Sequence, residues 1–401
     1  MAHFRIKDGL YSVGVLNPTL EVFDIVMRTE GGTSYNAYVV KGEKTALIDT
    51  CHHSFFEEYA ANIAEVAALG DIDYIILNHT EPDHSGALAL LADRCKNAKI
   101  VCTRAASVYL KAITNDAKLE YTVVKDGDSV SLGGLELRFV TAPFLHWPDT
   151  MFTYCPELAA VFTCDFLGAH YCEPNVIDTA VGDPEGYKAA LKYYYGCIMS
   201  PFAPFVRAGL DKLNALKFDT VCTSHGPVLT AGGRLGCALE GYAEWSRSAV
   251  RGAKRLPVFY CSAYGYTRKL AYAAVDEIRK SFPDAETEAY DIIEHDIARL
   301  AEIMNGSDGF LVGSPTLNRD AVPPVWELLA RVDVINSQKK PIGVFGSYGW
   351  SGEAVPAIIA RLNAVHLKVV GEGLKVNFNP SPEEIAKMTE YAGEFCRACA
   401  V

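Results

Sequence analysis

The chain has 401 residues, half of them hydrophobic, and a formal net charge of −12 at pH 7. This length accommodates two or three domains with sizeable cores, and the acidic balance argues against non-specific nucleic-acid binding, which needs basic patches. Because no apolar run reaches the roughly 18 residues of a transmembrane helix, we predict no membrane span.

The distribution of cysteines indicates the cellular compartment of the protein. The N-terminus has no apolar stretch typical of a signal peptide, and the twelve cysteines are scattered singly apart from Cys396 and Cys399. Such a pattern predicts buried thiols, no disulfides and a cytoplasmic location. The Cys396 and Cys399 pair lacks the second pair that a rubredoxin site needs. Its role stays open between packing, redox chemistry and metal binding.

The first half of the chain mixes short strands, hairpins and helices. Residues 35–40 and 45–50 predict one hairpin, and residues 135–140 predict a strand of another. Residues 72–78 form a β-branched, apolar run that predicts a buried strand. Pro82 prevents this strand from continuing, and a helix-like run follows. A sandwich of two sheets flanked by helices suits this mixture.

Seven potential metal ligands occur in this half, four of them within six residues directly after the buried strand. They are His79, Glu81, Asp83, His84, His146, Asp165 and His225. Seven ligands exceed the needs of one ordinary site and suit two metals roughly 3.5–4 Å apart that share a carboxylate. A polar turn with solvated histidines would explain the first four alone, but the three distant residues argue against it.

The second half alternates strictly between strands and helices after a basic segment, residues 251–255. This change predicts a first domain over residues 1–252 and a second over residues 253–401. Five strands separated by helices imply a parallel, doubly wound sheet. The predicted strands are residues 258–261, 287–291, 309–312, 341–345 and 367–371.

Three polar loops follow the first, third and fourth strands of the second half. Residues 262–268 place hydroxyl groups and Gly265 at the start of a helix, where backbone N–H groups can bind a phosphate. The loop has neither the lysine of a nucleoside-triphosphate site nor the glycine pattern of a dinucleotide site. The other two loops are residues 313–318 and 346–352. Because ligands bind at the carboxyl ends of such strands, the three loops predict an FMN pocket.

These motifs together resemble a known family. The first cluster is similar to the H-x-H-x-D-H signature of the metallo-β-lactamase fold, with Glu81 replacing the second histidine. Carboxylates make the ligand set harder than a histidine-dominated zinc site. The glutamate variant followed by a flavodoxin-like half is typical of the flavodiiron proteins, or A-type flavoproteins. The resemblance covers nearly the whole chain. It implies a metallo-β-lactamase-like αββα sandwich joined to a flavodoxin-like doubly wound sheet.

The resemblance also implies a ligand for each metal. One iron would be bound by His79, Glu81 and His146. The other would be bound by Asp83, His84 and His225. Asp165 would bridge the two irons together with an oxo or hydroxo group. The part played by His84 stays open, because its counterpart in some members is not a ligand.

Further residues are assigned by the same resemblance. The FMN phosphate would be held by Ser262, Tyr264, Gly265, Tyr266 and Thr267. The isoalloxazine side would be formed by Pro315, Thr316, Asn318, Ser347, Tyr348, Gly349 and Trp350. Tyr195 resembles a tyrosine of the family's substrate pocket, although a core aromatic fits the same position. Where some members carry a pocket histidine this chain has Asp24, which leaves proton supply open. His170 is a candidate partner for a ligand histidine.

The family's activity would make the chain an oxidoreductase. Electrons would pass from an external donor, rubredoxin or reduced F420, through FMN to a non-haem diiron site that reduces O2 to water, NO to N2O or both. A head-to-tail homodimer or dimer of dimers would bring the FMN of one subunit to the iron site of the other. A binuclear zinc hydrolase with a flavodoxin-like appendage is the alternative, and an electron carrier with a metal-free scaffold is a third.

Overall fold

The structure is a computed structural model that describes residues 4–247 and 252–400. The chain divides into two compact units, Met1–Ser248 and Ala249–Val401. The predicted boundary between residues 252 and 253 adjoins residues 248–251, which lie outside the described residues. Within the two described ranges, no helix is both long enough and apolar enough to cross a membrane.

Within residues 4–247, the first unit contains seventeen short strands. The first eleven are β1 Phe4–Lys7, β2 Leu10–Ser12, β3 Val15–Asn17, β4 Val22–Phe23, β5 Met27–Arg28, β6 Thr33–Tyr35, β7 Tyr38–Lys41, β8 Thr45–Ile48, β9 Tyr74–Ile76, β10 Lys99–Thr103 and β11 Tyr121–Val124. The remaining six are β12 Ser129–Ser131, β13 Glu136–Thr141, β14 Met151–Cys155, β15 Ala160–Cys164, β16 Thr220–Thr223 and β17 Leu229–Thr230.

These strands form two large sheets and two small ribbons. One sheet has the order β1-β2-β7-β8-β9-β10-β11, and the other runs from β12 to β17 in chain order. The predicted hairpin is β7 and β8, whose register pairs Lys41 with Thr45. The ribbons are β3 with β6 and β4 with β5. The helices of this unit are α1 Phe56–Ala64, α2 Pro82–Ser85, α3 Leu88–Arg94, α4 Arg104–Thr114, α5 Pro184–Tyr194, α6 Ala203–Asn214 and α7 Leu235–Trp245.

The two large sheets pack face to face. Residues of both sheets enter one apolar cluster, which includes Val40, Ile76, Phe139 and Phe162. Alternate residues of the same strands point to the opposite faces, where they are buried with helical residues in a second cluster. The order helix, sheet, sheet, helix confirms the predicted αββα sandwich.

The second unit contains a doubly wound sheet. Its strands are β18 Val258–Tyr260, β19 Ala289–Asp291, β20 Phe310–Leu317, β21 Asp320–Ala321, β22 Ile342–Tyr348 and β23 Leu374–Asn377. Its helices are α8 Tyr266–Ser281, α9 Ile297–Asn305, α10 Pro323–Leu329, α11 Val334–Ser337, α12 Ala354–Ala364 and α13 Pro382–Cys399. The main sheet has the order β19-β18-β20-β22-β23 with every pair parallel. This is the flavodoxin-like order, and it confirms the predicted fold.

Two apolar clusters cover the two faces of this sheet. One contains residues of α9, α10 and α12, and the other contains residues of α8 and α13. The fifth predicted strand, residues 367–371, is wrong, because the strand of the sheet is β23, which lies further along the chain. Val369 forms only an isolated bridge with Ile342, and the ladder to β22 is made by β23. The apolar run before Gly371 packs as a buried loop, and the chain turns at Gly371 and Gly373, which both have positive φ.

Candidate functional site

The ligand-rich hexapeptide begins where β9 ends. The backbone N–H of Asn78 donates to Oδ1 of the buried Asp49 at 2.7 Å, which fixes the chain just before His79. Pro82 then starts the single turn of α2. His79 and Glu81 therefore lie on an extended loop, whereas Asp83 and His84 lie on the helical turn. The side chains of these two pairs therefore point to two neighbouring positions in space.

The other three predicted ligands come from the second sheet. His146 follows β13, Asp165 follows β15, and His225 comes two residues after β16. The pairing of β13 antiparallel to β14, β14 antiparallel to β15 and β15 parallel to β16 puts these three strand ends at one edge. A register shift near the end of β15, where Cys164 has a φ of +51°, turns Asp165 toward the ligands from β9.

One oxygen of Asp165 faces a first ligand group, formed by His79, Glu81 and His146. The Nε2 atoms of His79 and His146 lie 3.5 and 3.4 Å from Oδ2 of Asp165. The same two nitrogens lie 3.4 and 3.0 Å from Oε2 of Glu81. Four potential donor atoms thus converge on one point.

The other oxygen of Asp165 faces a second ligand group, formed by Asp83, His84 and His225. The Nε2 atoms of His84 and His225 lie 3.0 and 3.6 Å from Oδ1 of Asp165. They lie 3.3 and 3.1 Å from the oxygens of Asp83. The structure therefore brings all seven predicted ligands together, with one carboxylate shared between two groups.

Several of these buried atoms have no hydrogen-bond partner among the described residues. They include Nε2 of His79 and His84, both carboxylate oxygens of Asp83 and Oδ2 of Asp165. Buried polar atoms are rarely left unsatisfied, because desolvation without a partner costs about 1–3 kcal/mol each. Imidazole nitrogens and carboxylate oxygens are the donors that non-haem iron takes. The two groups therefore fit a pair of metal ions.

The electrostatics of the site favour cations. Burial lowers the pKa of His84, but Asp83 and Asp165 overcome that effect and raise the pKa to about 9. Burial also opposes ionisation of Asp165, yet the charges of His84 and His79 hold its pKa well below the ordinary value. Asp165 stays anionic, and a metal ion would replace the histidine protons as its counter-charge.

A supporting residue that the sequence reasoning missed is Asp149. Its Oδ2 lies 3.2 Å from Nδ1 of His79 and accepts hydrogen bonds from the backbone N–H and the hydroxyl of Thr80, both at 2.8 Å. The carboxylate is fully buried. It fixes the His79 ring so that Nε2 points to the first ligand group. The only sequence signal is its place three residues after His146.

His225 is fixed in the same way from another side. Its Nδ1–H donates to the carbonyl oxygen of Ser34 at 2.6 Å. The hydroxyl of Thr33 lies 3.3 Å from the same nitrogen and 2.9 Å from Nδ1 of His170. His170 therefore adjoins a ligand histidine, as the sequence analysis allowed. Burial lowers the pKa of His170 to about 2, so this ring is neutral.

Two tyrosines, Tyr194 and Tyr35, have ring centroids 6.0 Å from that of His225. The ring of Tyr194 also lies 4.9 Å from that of His170. The predicted pocket residue Tyr195 instead contacts the rings of Tyr242 and Trp245. The structure thus puts Tyr195 in an aromatic cluster and gives its neighbour the place beside the ligands.

Asp24 lies at the tip of the β4–β5 ribbon, and its carboxyl group is close enough for the charge of Glu81 to act on it. Partial burial and the charge of Glu81 raise the pKa of Asp24 to about 6. A carboxyl group with this pKa can take up and release a proton near neutral pH at the edge of the first ligand group.

The predicted flavin residues gather at one edge of the second unit's sheet. The three loops follow β18, β20 and β22, which are neighbours in that sheet. Gly265 has a φ of +80°, and helix α8 begins directly after it without a side-chain cap from that residue. The ring-bearing Tyr264 and Trp350 are 82% and 87% exposed. An open helix N-terminus beside exposed aromatic faces fits a phosphate joined to a planar ring.

The predicted flavin residues differ in their hydrogen bonds and backbone conformation. The buried Thr267 hydroxyl is hydrogen-bonded to that of Ser347 at 2.8 Å, so this pair joins the first loop to the third. Pro315 is in register with Ser347 on the adjacent strands. Asn318 has a φ of +51° in the turn after β20. The remaining predicted residues are Ser262 in the first loop, Tyr266 at the start of α8, Thr316 near the end of β20, Tyr348 at the end of β22 and Gly349 directly after it.

Cys396 and Cys399 lie on α13 and are buried. Burial raises the pKa of both thiols, that of Cys399 to about 12. Thiols of this kind react slowly, because the thiolate is the nucleophile and the metal ligand. The pair therefore serves packing in the second unit.

Comparison with known proteins matches both units. Residues 33–226 match the family described as ODP family beta lactamase, and residues 258–390 match the flavodoxin family. The chain is 47% identical to flavo-diiron protein FprA2 of Clostridium acetobutylicum over 99% of this chain and 100% of that protein. It is 34% identical to a nitric oxide reductase of Moorella thermoacetica over 96% of each.

A solved structure agrees along the whole chain. Rubredoxin oxygen:oxidoreductase from the anaerobe Desulfovibrio gigas superimposes with a TM-score of 0.71 and 26% sequence identity. The alignment covers 99% of this chain and 98% of that one.

Proposed function

The chain belongs to the flavodiiron protein family, and from that premise we propose how its residues serve the family's reaction. It is an oxidoreductase with FMN and a non-haem diiron site as its cofactors. When bound, the two cofactors supply one-electron transfer and the reduction of O2 to water or of NO to N2O. The observation that carries this function is the Asp165 carboxylate, which directs one oxygen to each ligand group. The relationship over the whole chain favours this function over the zinc hydrolase.

The irons would be held by the two ligand groups. His79, Glu81 and His146 would bind one, Asp83, His84 and His225 would bind the other, and Asp165 would bridge. His84 is included as a ligand because its Nε2 lies 3.0 Å from Oδ1 of Asp165 and points into the second ligand group. Asp149 and the Ser34 carbonyl would keep two of the histidine rings oriented.

The FMN would be held by the three loops of the second unit. The start of α8 would bind the phosphate, with the loop hydroxyls of Ser262 and Tyr266 as further donors. Tyr348 and Trp350 would flank the isoalloxazine, since the Trp350 ring is exposed beside the loops, and Tyr264 would adjoin the phosphate. The Thr267 to Ser347 hydrogen bond would keep the phosphate and ring ends in one arrangement.

Both reductions consume protons, and Asp24, with its pKa raised to about 6, can take up and release one near Glu81. We therefore assign Asp24 the place that a pocket histidine has in some family members. Tyr194, with its ring beside His225 and a hydroxyl that has no hydrogen-bond partner among the described residues, is the second polar group available there.

The donor and the assembly are proposals at a finer level. We propose rubredoxin as the electron donor, because a related structure is named rubredoxin oxygen:oxidoreductase, with reduced F420 as the alternative. We propose a head-to-tail homodimer, alone or paired, as the active form. An active monomer in size-exclusion chromatography with light scattering would contradict it. All twelve cysteines are free thiols, which supports a cytoplasmic location.

The function is tested anaerobically on the purified protein. We expect about two irons and about one FMN per chain, and rapid reoxidation of the reduced flavin on mixing with O2, NO or both. The faster gas identifies the preferred substrate. Zinc in place of iron, with only slow flavin autoxidation, would favour the hydrolase instead.

A further inference from the structure

The two oxygens of the Asp165 carboxylate have unequal surroundings. Oδ1 accepts a hydrogen bond from the hydroxyl of Ser224 at 2.8 Å. Oδ2 has no hydrogen-bond partner in the part of the chain that the structure describes, and it faces His79 and His146 alone. The oxygen that faces the second ligand group is therefore the one held by a neutral donor.

Ser224 is well placed to hold a carboxylate still. It follows β16 directly, and its backbone N–H donates to the carbonyl oxygen of Cys164 at 2.9 Å. Its own carbonyl oxygen accepts from the N–H of Asn36 at 2.8 Å. The side chain is 1% exposed. With its backbone bonded on both sides, the hydroxyl has a fixed position relative to Asp165, the residue after Cys164.

The single hydroxyl hydrogen has two acceptors within reach. One is Oδ1 of Asp165, and the other is Sγ of Cys164 at 3.4 Å. A carboxylate accepts a shorter and roughly twice stronger hydrogen bond than a neutral group, and sulfur is a weak acceptor. The hydrogen therefore lies on the carboxylate side, and the thiol fills the space behind the hydroxyl oxygen.

We propose that Ser224 is a positioning residue that sets the rotation of the Asp165 carboxylate, so that each oxygen faces one ligand group. This inference rests on the proposed function, because it concerns a carboxylate shared by two irons. The hydrogen bond occupies one lone-pair direction of Oδ1 and leaves the other toward Asp83, His84 and His225. Without it the carboxylate turns about its Cβ–Cγ bond, and the second ligand group loses an aligned oxygen.

The test compares Ser224→Ala with Ser224→Thr, which keeps the hydroxyl. Ser107→Ala is the matched control, because Ser107 is also buried in the first unit and its hydroxyl donates to the backbone carbonyl oxygen of Arg104 at 2.9 Å and not to a predicted ligand. Each iron-loaded protein is exposed anaerobically to a chelator. Iron loss is followed in time, FMN content is measured, and Mössbauer spectra are recorded on protein loaded with the Mössbauer-active isotope of iron.

In Ser224→Ala we expect iron to be lost about 10–100-fold faster, with the iron of the second ligand group lost first. We also expect an altered quadrupole splitting for the affected iron and unchanged FMN. Ser224→Thr and Ser107→Ala should retain iron like the unaltered protein. Equal iron loss and equal spectra in Ser224→Ala and the unaltered protein would overturn the inference, as would equally fast loss in Ser224→Thr. Unaltered protein that binds no iron would instead overturn the proposed function.

Should Ser224→Ala not accumulate as folded protein, Ser224→Cys takes its place. The thiol has nearly the shape of the hydroxyl and donates only weakly, so the same accelerated loss of iron is expected. Iron loss at the unaltered rate in that variant would count against the hydroxyl as the positioning group.

Discussion

At the scale of single residues, the decisive group is Asp165. Asp165→Ala removes the carboxylate that the two ligand groups share, one oxygen of which faces each group. We therefore expect loss of both irons and of oxidase activity while FMN stays bound in the second unit. Iron and flavin analysis of the purified variant measures this. Asp211→Ala, an exposed aspartate on α6, is the control and should keep iron and activity. Full iron occupancy in Asp165→Ala would show that Asp165 is not the bridge.

Residue type and spacing were enough to find the ligands but not the groups that orient them. Histidines and carboxylates crowded at strand ends indicate metal binding whatever the fold. Asp149 and Ser224 act only through residues distant in sequence, His79 and Asp165, so nothing local marks them. Their contacts exist only once the two sheets have packed together.

The tyrosine run shows a second limit. Residues 193–195 are all tyrosines, and the helical phase decides which one faces the ligands. Helix α5 ends at Tyr194, and a π-helical turn runs over Tyr195–Met199. Such a turn inserts an extra residue into the helical repeat and changes the direction of the side chains that follow. The resemblance alone assigns Tyr195, and it does not show where the helical phase changes.

At the scale of elements, helix α13 has a complete capping box. The Ser381 hydroxyl accepts from the N–H of Glu384, and the Glu384 carboxylate accepts from the N–H of Ser381. Ser381→Ala should lower the free energy of unfolding of the second unit by about 1 kcal/mol, because one helical N–H loses its partner. Thermal unfolding followed by flavin release measures it. Lys387→Ala, exposed on the same helix, should change little.

The strands of the second unit show which kinds of strand can be predicted from a sequence. Four predicted strands form the sheet, because buried parallel strands are continuous apolar runs. The fifth is displaced, because β23 alternates between partly exposed and buried residues, as edge strands do, and the more apolar run before it reads as the strand. A strand that pairs with only one neighbour is partly exposed, so its sequence contains no continuous apolar run.

At the scale of the whole molecule, the second unit has its own core. Its two apolar clusters contain only residues from 256 to 399. We therefore expect residues 253–401, produced alone, to fold and to bind FMN without iron, which also tests the predicted boundary. Circular dichroism and bound-flavin absorbance measure both properties. A fragment that folds but binds no flavin would place part of the flavin site in the first unit.

The shared ligand set has a consequence for biogenesis. Four ligands follow β9 in one sheet, and three follow β13, β15 and β16 in the other. No stretch of chain shorter than the span from His79 to His225 holds both groups, so the nascent chain must emerge through His225 and join its sheets before it can capture a pair of ions. Contacts so distant in sequence form late and slowly. Capture of both ions therefore follows the joining of the two sheets, and iron supply acts on this unit only after those long-range contacts have formed.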